Sequence, residues 1–425
     1  MRSGYGRSTL PTPPGTPLGG YAARTGTATG VLDELEVSVV TVGRLVWVVA
    51  DLPYVHTDLA EAVRLAVLEV ATGRDVWVSA THTHSGPETS CSADTSRTPA
   101  RWLAEVPAAA AVAARAAVAG ERDVELSVRR QRLSGVGGQR SGVRPLRTVP
   151  VDVLSFTTPA PPAAASEGVP GDASSTSGGA PCGVLVVLPV HPTVLGADNL
   201  LVSTDLAGAV RRALAERLGG PWVVVATGAA GDVSTRPHRR AQTPEECERL
   251  GTLVADSILR CLRKPARSII PAHAAVQVRR VQVPLPPKPP GEPAVDRLEE
   301  RLREAERGGD PAVIRTAWTA LQAARLATGQ PPPADPTCAV SVARIGPLSL
   351  VALGAEPYLD LAARLDRAVE GPAVLVGYTN GYLGYLPVRE AYRHPEYEVL
   401  RSQVAPGGAE HVLAQATELI GKEHS

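Results

Sequence analysis

Strand-like runs of aliphatic residues, separated by helical patterns, constrain the fold of this chain more than any other feature. The first three runs are "LEVSVVTV" at 35–42, "RLVWVVAD" at 44–51 and "DVWVSA" at 75–80. A helical pattern at 58–72 separates the second run from the third, and the alternation continues along the chain. We therefore predict an α/β fold with a mixed β-sheet core and helices packed around it.

Two segments interrupt this alternation. The segment 157–183 is rich in Pro, Gly, Ser and Ala and has hardly any large apolar residue, so we expect a disordered loop. The segment 285–336 holds two helical patterns between proline-rich flanks and predicts an inserted helical hairpin. Neither forms a domain of its own, and we expect one domain over 1–425. Further helices are predicted at 99–119, 205–218, 244–262, 294–307, 311–326 and 359–368.

Charge and cysteine content narrow the function. The 43 Lys and Arg residues balance 43 Asp and Glu residues, so no overall field attracts nucleic acid, and we expect a small or neutral partner. No apolar run approaches about 18 residues and no apolar segment opens the chain, which predicts a cytoplasmic protein without a signal peptide or transmembrane segment. The five cysteines are scattered without CxxC spacing, so any metal needs other ligands.

Polar or glycine-rich clusters follow five of the strand-like runs. His82 and His84 follow "DVWVSA", His191 follows "GVLVVLPV", and Glu356 follows "LSLVALG". The cluster "GAAGDVSTR" follows "WVVVAT", and "NGYLGY" follows "AVLVGYT". Because ligands bind beyond the carboxyl ends of strands in α/β sheets, we expect the five termini to form one active site.

The residue types in these clusters suit metal chemistry. His82 and His84 are two apart and face the same way on an extended backbone, so one can hold a metal while the other handles protons. Each residue also has a purely structural explanation: a hydrogen-bonded loop for the HxH pair, a strand end for His191 and a helix N-terminal acid for Glu356. Together, two histidines, a carboxylate and an open position match catalytic zinc sites. Ser234 lies in a glycine-rich turn that matches neither a nucleophile elbow nor a phosphate loop.

Several motifs, in this order, resemble the catalytic domain of the neutral/alkaline, non-lysosomal ceramidases. They are "TPPGTPLGGYAAR", "ATHTHSGP", "QRSG", "VHPT" with "STDLAG", "GAAGDVST", "GAEPYLDLAARL" and "TNGYLGYLPVREAYRHPEYE". The resemblance covers about 10–398. We expect no counterpart of the family's carboxy-terminal immunoglobulin-like domain, and "QRSG" and "GDVST" stand where the family has Asn-Arg-Ser and Asp-Val-Ser-Pro.

The resemblance implies a set of zinc ligands. It assigns His82, His191, Glu356 and Tyr385 to the metal, with water completing the shell. Tyr385 is preferred over Tyr382 by its spacing from the family's second functional tyrosine, and Tyr382 stays open as the alternative. A phenol with a reference pKa near 10 must lose its proton to bind well, and a dication favours that loss.

The resemblance also implies a reaction, the hydrolysis of an amide (N-acyl) bond. Zinc supplies hydroxide at neutral pH that attacks the acyl carbonyl. Arg140 and Tyr397 would stabilise the oxyanion, His84 would pass a proton to the leaving amine, and Ser234 would contact the substrate.

The substrate is left open. The resemblance is compatible with ceramide, which would place the protein in sphingolipid metabolism, and with a smaller, soluble N-acyl compound. Two alternatives are a zinc hydrolase of a different ester, amide or lactone, and a non-catalytic binding protein that retains the fold. The sequence leaves the oligomeric state open.

Overall fold

The structure, a computed structural model, describes residues 1–89, 97–140, 145–159, 180–289, 295–327, 335–393 and 395–422. Within these residues the strands are β1 (Arg2–Leu10), β2 (Gly30–Val31), β3 (Leu35–Val42), β4 (Leu45–Ala50), β5 (Asp75–Ala80), β6 (Arg122–Asp123), β7 (Glu125–Ser134), β8 (Gly138–Gln139), β9 (Thr148–Thr157), β10 (Gly183–Leu188), β11 (Leu201–Val202), β12 (Trp222–Thr227), β13 (Val233–Ser234), β14 (Ser268–Ile270), β15 (Val276–Pro284), β16 (Thr337–Ile345), β17 (Leu348–Leu353), β18 (Glu356–Pro357), β19 (Ala373–Val376) and β20 (Tyr385–Leu386). The helices are α1 (Thr57–Leu68), α2 (Ala100–Leu103), α3 (Glu105–Ala119), α4 (Asp205–Leu218), α5 (Pro244–Leu262), α6 (Val295–Gly308), α7 (Pro311–Ala327), α8 (Leu359–Ala368), α9 (Tyr397–Arg401) and α10 (Gly408–Gly421), with a 3-10 helix at Arg389–Arg393.

The mixed α/β class is confirmed, and the large strands are distributed over three sheets. Their strand orders are β5-β4-β3-β1-β6, β12-β10-β9-β7-β14 and β15-β16-β17-β19. The same connection recurs in each sheet: two antiparallel strands, a helix, and a strand that returns parallel to the second. The returning strands are β5, β12 and β19. A strand that returns in parallel needs a crossover, and α1, α4 and α8 supply it.

Alternate residues of one strand face two different cores, which explains the nearly continuous apolar runs. On β4, Val46 and Val48 pack with residues of α1 and α3, whereas Trp47 and Val49 join the core that the three sheets share. The outer faces of the second and third sheets pack on α4 and α5 and on α8 and α10, respectively. The sheets are therefore stacked inward with helices outside, and both faces of the central strands exclude water.

The helical predictions agree with the structure to within a few residues, except that 99–119 is divided into α2 and α3. Taken together, α2 and α3 form the one helical stretch of the described residues, Ala100–Ala119, that is long and apolar enough to cross a membrane by length and composition. Its residues Ala110, Ala113 and Ala117 are buried, and Gly4 and Gly6 of β1 approach the backbone of α3 closely. It is therefore packed as a core helix of the first sheet.

The two interrupting segments differ in what the structure describes. Helices α6 and α7 lie within 285–336. Of the loop expected at 157–183, residues 160–179 lie outside the described residues. The four described cysteines are free.

Candidate active site

The strand ends that carry the predicted site residues meet in one place. Isolated bridges join Ser79 at the end of β5 to Thr379, and Gly228 after β12 to Val376 of β19. A third bridge pairs His191, after β10, with Ser234. The parallel pairs β4–β5, β10–β12 and β17–β19 all point their carboxyl ends toward this junction, so the strand ends that precede the polar clusters lie together.

Three histidines and one carboxylate lie at the centre of the junction. Glu356 Oε2 is 3.0 Å from His191 Nε2 and 3.4 Å from His82 Nε2. His84 Nε2 is 3.2 Å from His82 Nε2. Ligand atoms of the three histidines all lie within 4.8 Å of one another, and all four side chains are buried. The structure thus brings the neighbouring residues His82 and His84 together with His191 and Glu356, which are distant from them in sequence.

The orientation of the histidine rings leaves their nitrogen lone pairs facing the carboxylate. His82 Nδ1 donates to Pro53 O and His191 Nδ1 donates to Ala230 O, each at 2.6 Å. Carbonyl oxygens only accept, so both Nδ1 atoms carry protons and both Nε2 atoms carry lone pairs. His191 Nε2 is buried and makes no hydrogen bond to a described residue, although Glu356 Oε2 is close.

Two lone pairs aimed at a carboxylate oxygen repel it unless a cation lies between them. Carbonyl groups that fix the Nδ1–H of ligating histidines are typical of metal sites. Two imidazole nitrogens and a carboxylate oxygen are donors that zinc accepts. The residues present therefore fit a divalent metal ion.

Tyr378 and Asn380 support the site and were not predicted from the sequence. Tyr378 stacks on His82 with ring centroids 4.2 Å apart, and its hydroxyl donates to Glu356 Oε2 at 3.4 Å. The side-chain oxygen of Asn380 accepts from the backbone N–H of Val78, which fixes the strand before His82. His82, Tyr378 and Asn380 all have positive φ values, 65°, 55° and 60°. Residues with a strained backbone of this kind are concentrated at functional sites. In the sequence, the signal that could have pointed to Tyr378 is its position two residues after the end of β19.

The two candidate tyrosine ligands have different partners. The Tyr382 hydroxyl donates to Glu356 Oε1 at 2.5 Å. The Tyr385 hydroxyl accepts from Arg140 Nη2 at 3.3 Å, and its ring is stacked 6.4 Å from that of His191. Burial and then the charge of Glu356 raise the pKa of Tyr385 well above 10, while Arg140 opposes this shift. Without a metal ion, Tyr385 is therefore a neutral phenol at pH 7, and its assignment as ligand stays a prediction.

Arg140 is held rigidly beside Tyr385. Its Nε donates to Glu398 Oε1 at 2.5 Å, and its Nη2 donates to Gly231 O at 2.8 Å. Burial disfavours the charged guanidinium, but Glu398 and Tyr385 outweigh burial and raise the pKa of Arg140 well above its usual value. A fixed positive charge therefore borders the site at every accessible pH.

Asp232 joins the segments that carry Arg140 and Glu356. One oxygen of its carboxylate accepts from the backbone N–H of Leu359, and the other accepts from Gln139 Nε2, both at 2.8 Å. The Arg140 N–H donates to Asp232 O at 2.9 Å. Burial raises the pKa of Asp232 to about 6. Leu359 begins α8 shortly after Glu356. Asp232 therefore holds the segment of Arg140 and the segment of Glu356 in place.

Ser234 and Tyr397, the remaining predicted residues, lie at its border. Ser234 is buried, and its Oγ accepts from the N–H of Arg236 at 3.3 Å. Tyr397 begins α9, and its ring is edge-on to Tyr385 at 5.8 Å. The roles assigned to these two residues stay predictions.

A segment near the start of the chain encloses His84. The Tyr21 ring lies edge-on to His84 at 4.8 Å, and Arg24 Nη1 donates to His84 O at 2.7 Å. Burial, followed by His82 and His191, lowers the pKa of His84 well below 6.5. His84 is therefore neutral at pH 7. Sequence reasoning gave Tyr21 and Arg24 no role, because contacts across about 60 residues leave no local pattern.

A cavity lies beside this site. It measures about 740 Å³, and its lining includes Arg130, Asp152, Arg364 and Asp232. Arg130 and Arg364 are already paired with carboxylates. The described residues that line the cavity include none of the three histidines or Glu356.

Comparison with known proteins identifies the fold. No protein-family model and no curated protein sequence matches the chain. Among solved structures, the crystal structure of neutral ceramidase from Pseudomonas aeruginosa matches with a TM-score of 0.71 and 18% identity, over 98% of this chain and 73% of that one. A ceramidase complexed with C2 matches with the same score and identity, over 98% and 74%. The chain has a ceramidase-like fold, as the sequence motifs predicted.

Proposed function

We propose that the protein is a zinc-dependent hydrolase that cleaves the amide bond of an N-acyl substrate, as a ceramidase does. The observation that supports this function most is the meeting of His82 Nε2 and His191 Nε2 at Glu356 Oε2, with both Nδ1 atoms fixed by carbonyls. The fold shared with ceramidase structures adds to it. Nitrogen and oxygen donors of this kind match zinc among the common catalytic metals.

His82, His191 and Glu356 would hold the metal, with Tyr385 as the fourth ligand. When bound, zinc lowers the pKa of a coordinated water to about 7, so that hydroxide is present at neutral pH. Tyr378 and Tyr382 orient the Glu356 carboxylate through its two oxygens.

The remaining residues handle charge and protons as water adds to the acyl carbon and the C–N bond breaks. Arg140 holds a permanent positive charge beside the Tyr385 hydroxyl and stabilises the developing oxyanion, with Tyr397 alongside. His84, neutral at pH 7, would accept a proton at a ring nitrogen and return it to the leaving amine. The products are a carboxylic acid and an amine.

A substrate panel tests this function. The zinc-loaded protein is incubated with ceramide, a short-chain N-acyl amine, an ester and a lactone, and products are followed by mass spectrometry. We expect amide cleavage, and a loss of about 100-fold in kcat for His84→Gln with zinc retained. His411→Gln, on the exposed face of α10, is the matched control.

Each other outcome points to one alternative. Cleavage of the ester or lactone alone would replace the amidase with a different zinc hydrolase. A zinc-loaded protein that cleaves none of the four would support the non-catalytic binding protein.

A further inference from the structure

Three arginines lie on segments beside the candidate active site. Arg236 and Arg239 follow Ser234 on the same loop, and Arg315 lies on α7. Within the described part of the chain, no carboxylate forms an ion pair with any of the three. Arg239 donates to the carbonyl of Thr193, and the Arg315 guanidinium lies over the Trp318 ring at 5.1 Å.

Arg236 is unusual among the buried or half-buried arginines of this protein. Arg130, Arg140 and Arg211 each contact a carboxylate, at 2.6, 2.5 and 2.9 Å respectively. The Arg236 side chain is half-buried, and no described acceptor receives a hydrogen bond from its guanidinium. A guanidinium removed from part of its water normally gains an anionic or hydrogen-bonding partner.

The positive charges of this arginine cluster (Arg236, Arg239 and Arg315) act on one another. Burial lowers the pKa of Arg236 to about 10, and repulsion from Arg140 and Arg315 adds to the shift. Burial also lowers the pKa of Arg239, with repulsion from Arg315 contributing. An anion among these groups would relieve the repulsion, because each charge then has an opposite charge nearby.

The cluster borders the candidate active site. The Arg236 N–H contacts Ser234, whose backbone pairs with His191, and Arg239 contacts the residue two positions after His191. Helix α7, which carries Arg315, packs on α9 and hence next to Tyr397. The three arginines therefore lie on segments that adjoin the candidate active site.

We propose that the arginine cluster binds an anionic group, a carboxylate or a phosphate, on the substrate, and that the preferred N-acyl substrate is anionic. This inference rests on the proposed function. The zero net charge of the chain does not oppose it, because recognition depends on the local charges at the site. Arginine suits both anions, since its planar donors match their oxygens.

Matched substrates that differ only in charge test the proposal. The zinc-loaded protein is given N-lauroylglycine and neutral N-lauroylglycinamide, and then N-lauroylethanolamine phosphate and N-lauroylethanolamine. We expect kcat/KM to be about tenfold higher for the anionic member of at least one pair, and the pair shows which anion is bound. Arg236→Gln should abolish this preference by raising KM for the anionic member of the pair.

Two further variants control for misfolding and for the effect of charges far from the site. Arg315→Gln changes an exposed helix residue, so it should fold and reduce the preference. Arg260→Gln removes an exposed charge from α5 and should leave it unchanged. Equal kcat/KM for both members of both pairs, or a preference that survives in both cluster variants, would overturn the proposal while leaving the hydrolase intact.

A binding measurement separates this proposal from the proposed function. N-dodecylsulfonylglycine and its glycinamide resist amide hydrolysis, and calorimetry gives their affinities for the zinc-loaded protein. Tighter binding of the carboxylate by wild type, lost in Arg236→Gln, would support the anion site even if no amide were cleaved. Equal affinities together with active amide cleavage would reject the anion site alone.

Discussion

Gly20 is the position where a single methyl group should disturb His84 most directly. A Cβ added at Gly20 would lie 2.5 Å from His84 Cγ and 2.7 Å from His84 Cβ, and the φ of Gly20 is +92°. Gly15, in the same segment, has a φ of +87° but nothing within 4 Å of an added Cβ. Gly15→Ala therefore carries only the backbone strain, about 1–2 kcal/mol. Gly20→Ala adds an overlap worth about 1–3 kcal/mol.

Urea denaturation of the two variants measures this difference. We expect Gly20→Ala to lower the free energy of unfolding by about 2–5 kcal/mol in total and Gly15→Ala by about 1–2 kcal/mol. A displacement of His84 by about 1 Å should lower kcat by about 100-fold in Gly20→Ala only. Equal stability and equal kcat in the two variants would refute the claim that this segment positions His84.

Two further predictions concern buried titratable groups. Burial, followed by the charge of Arg140, lowers the pKa of His191 from 6.5 to about 4. Between these two pH values the unfolded chain binds a proton at this residue, and the native state does not. The metal-free wild type should therefore lose about 1.4 kcal/mol per pH unit from this group as the pH falls from 6.5 toward 4, a loss absent in His191→Gln. Parallel stability curves for the two proteins between pH 7 and 5 would contradict this. Asp232→Asn keeps an acceptor for Leu359 but presents a donor to Gln139, so urea unfolding should show a loss of about 1–3 kcal/mol; an unchanged midpoint would show that the contact is not structural.

The sequence patterns predicted much of the fold because the central strands are buried on both faces. Continuous aliphatic runs identified most of the strands, and their polar ends indicated where His82, His191 and Glu356 meet. The recurring strand–strand–helix–strand unit was not seen in the sequence, because its three copies share topology and not residues.

Strand β1 was missed for a physical reason. Gly4 and Gly6 suggest a loop, yet both lie in β1, where α3 comes very close. A Cβ at Gly4 would meet Ala117 O at 2.0 Å, and one at Gly6 would meet Ala113 O at 2.1 Å. These glycines allow close packing between elements more than 100 residues apart. Local secondary-structure propensity cannot predict such a contact.

The partners of the site residues were also hidden from the sequence. Arg24 contacts His84 and Asp232 contacts Leu359 only after the chain has folded. Motif spacing predicted which residues carry the chemistry, whereas tertiary contacts determine which residues hold them in place.

Metal content per chain tests the central claim most directly. The purified protein and a His82→Ala/His191→Ala double variant are given zinc, dialysed and measured by elemental mass spectrometry, with circular dichroism to verify folding. We predict about one zinc per wild-type chain, as a single set of ligands holds one ion, and none in the folded variant. Wild-type protein that retains no more zinc than the variant would contradict the metal site and, with it, the hydrolase mechanism.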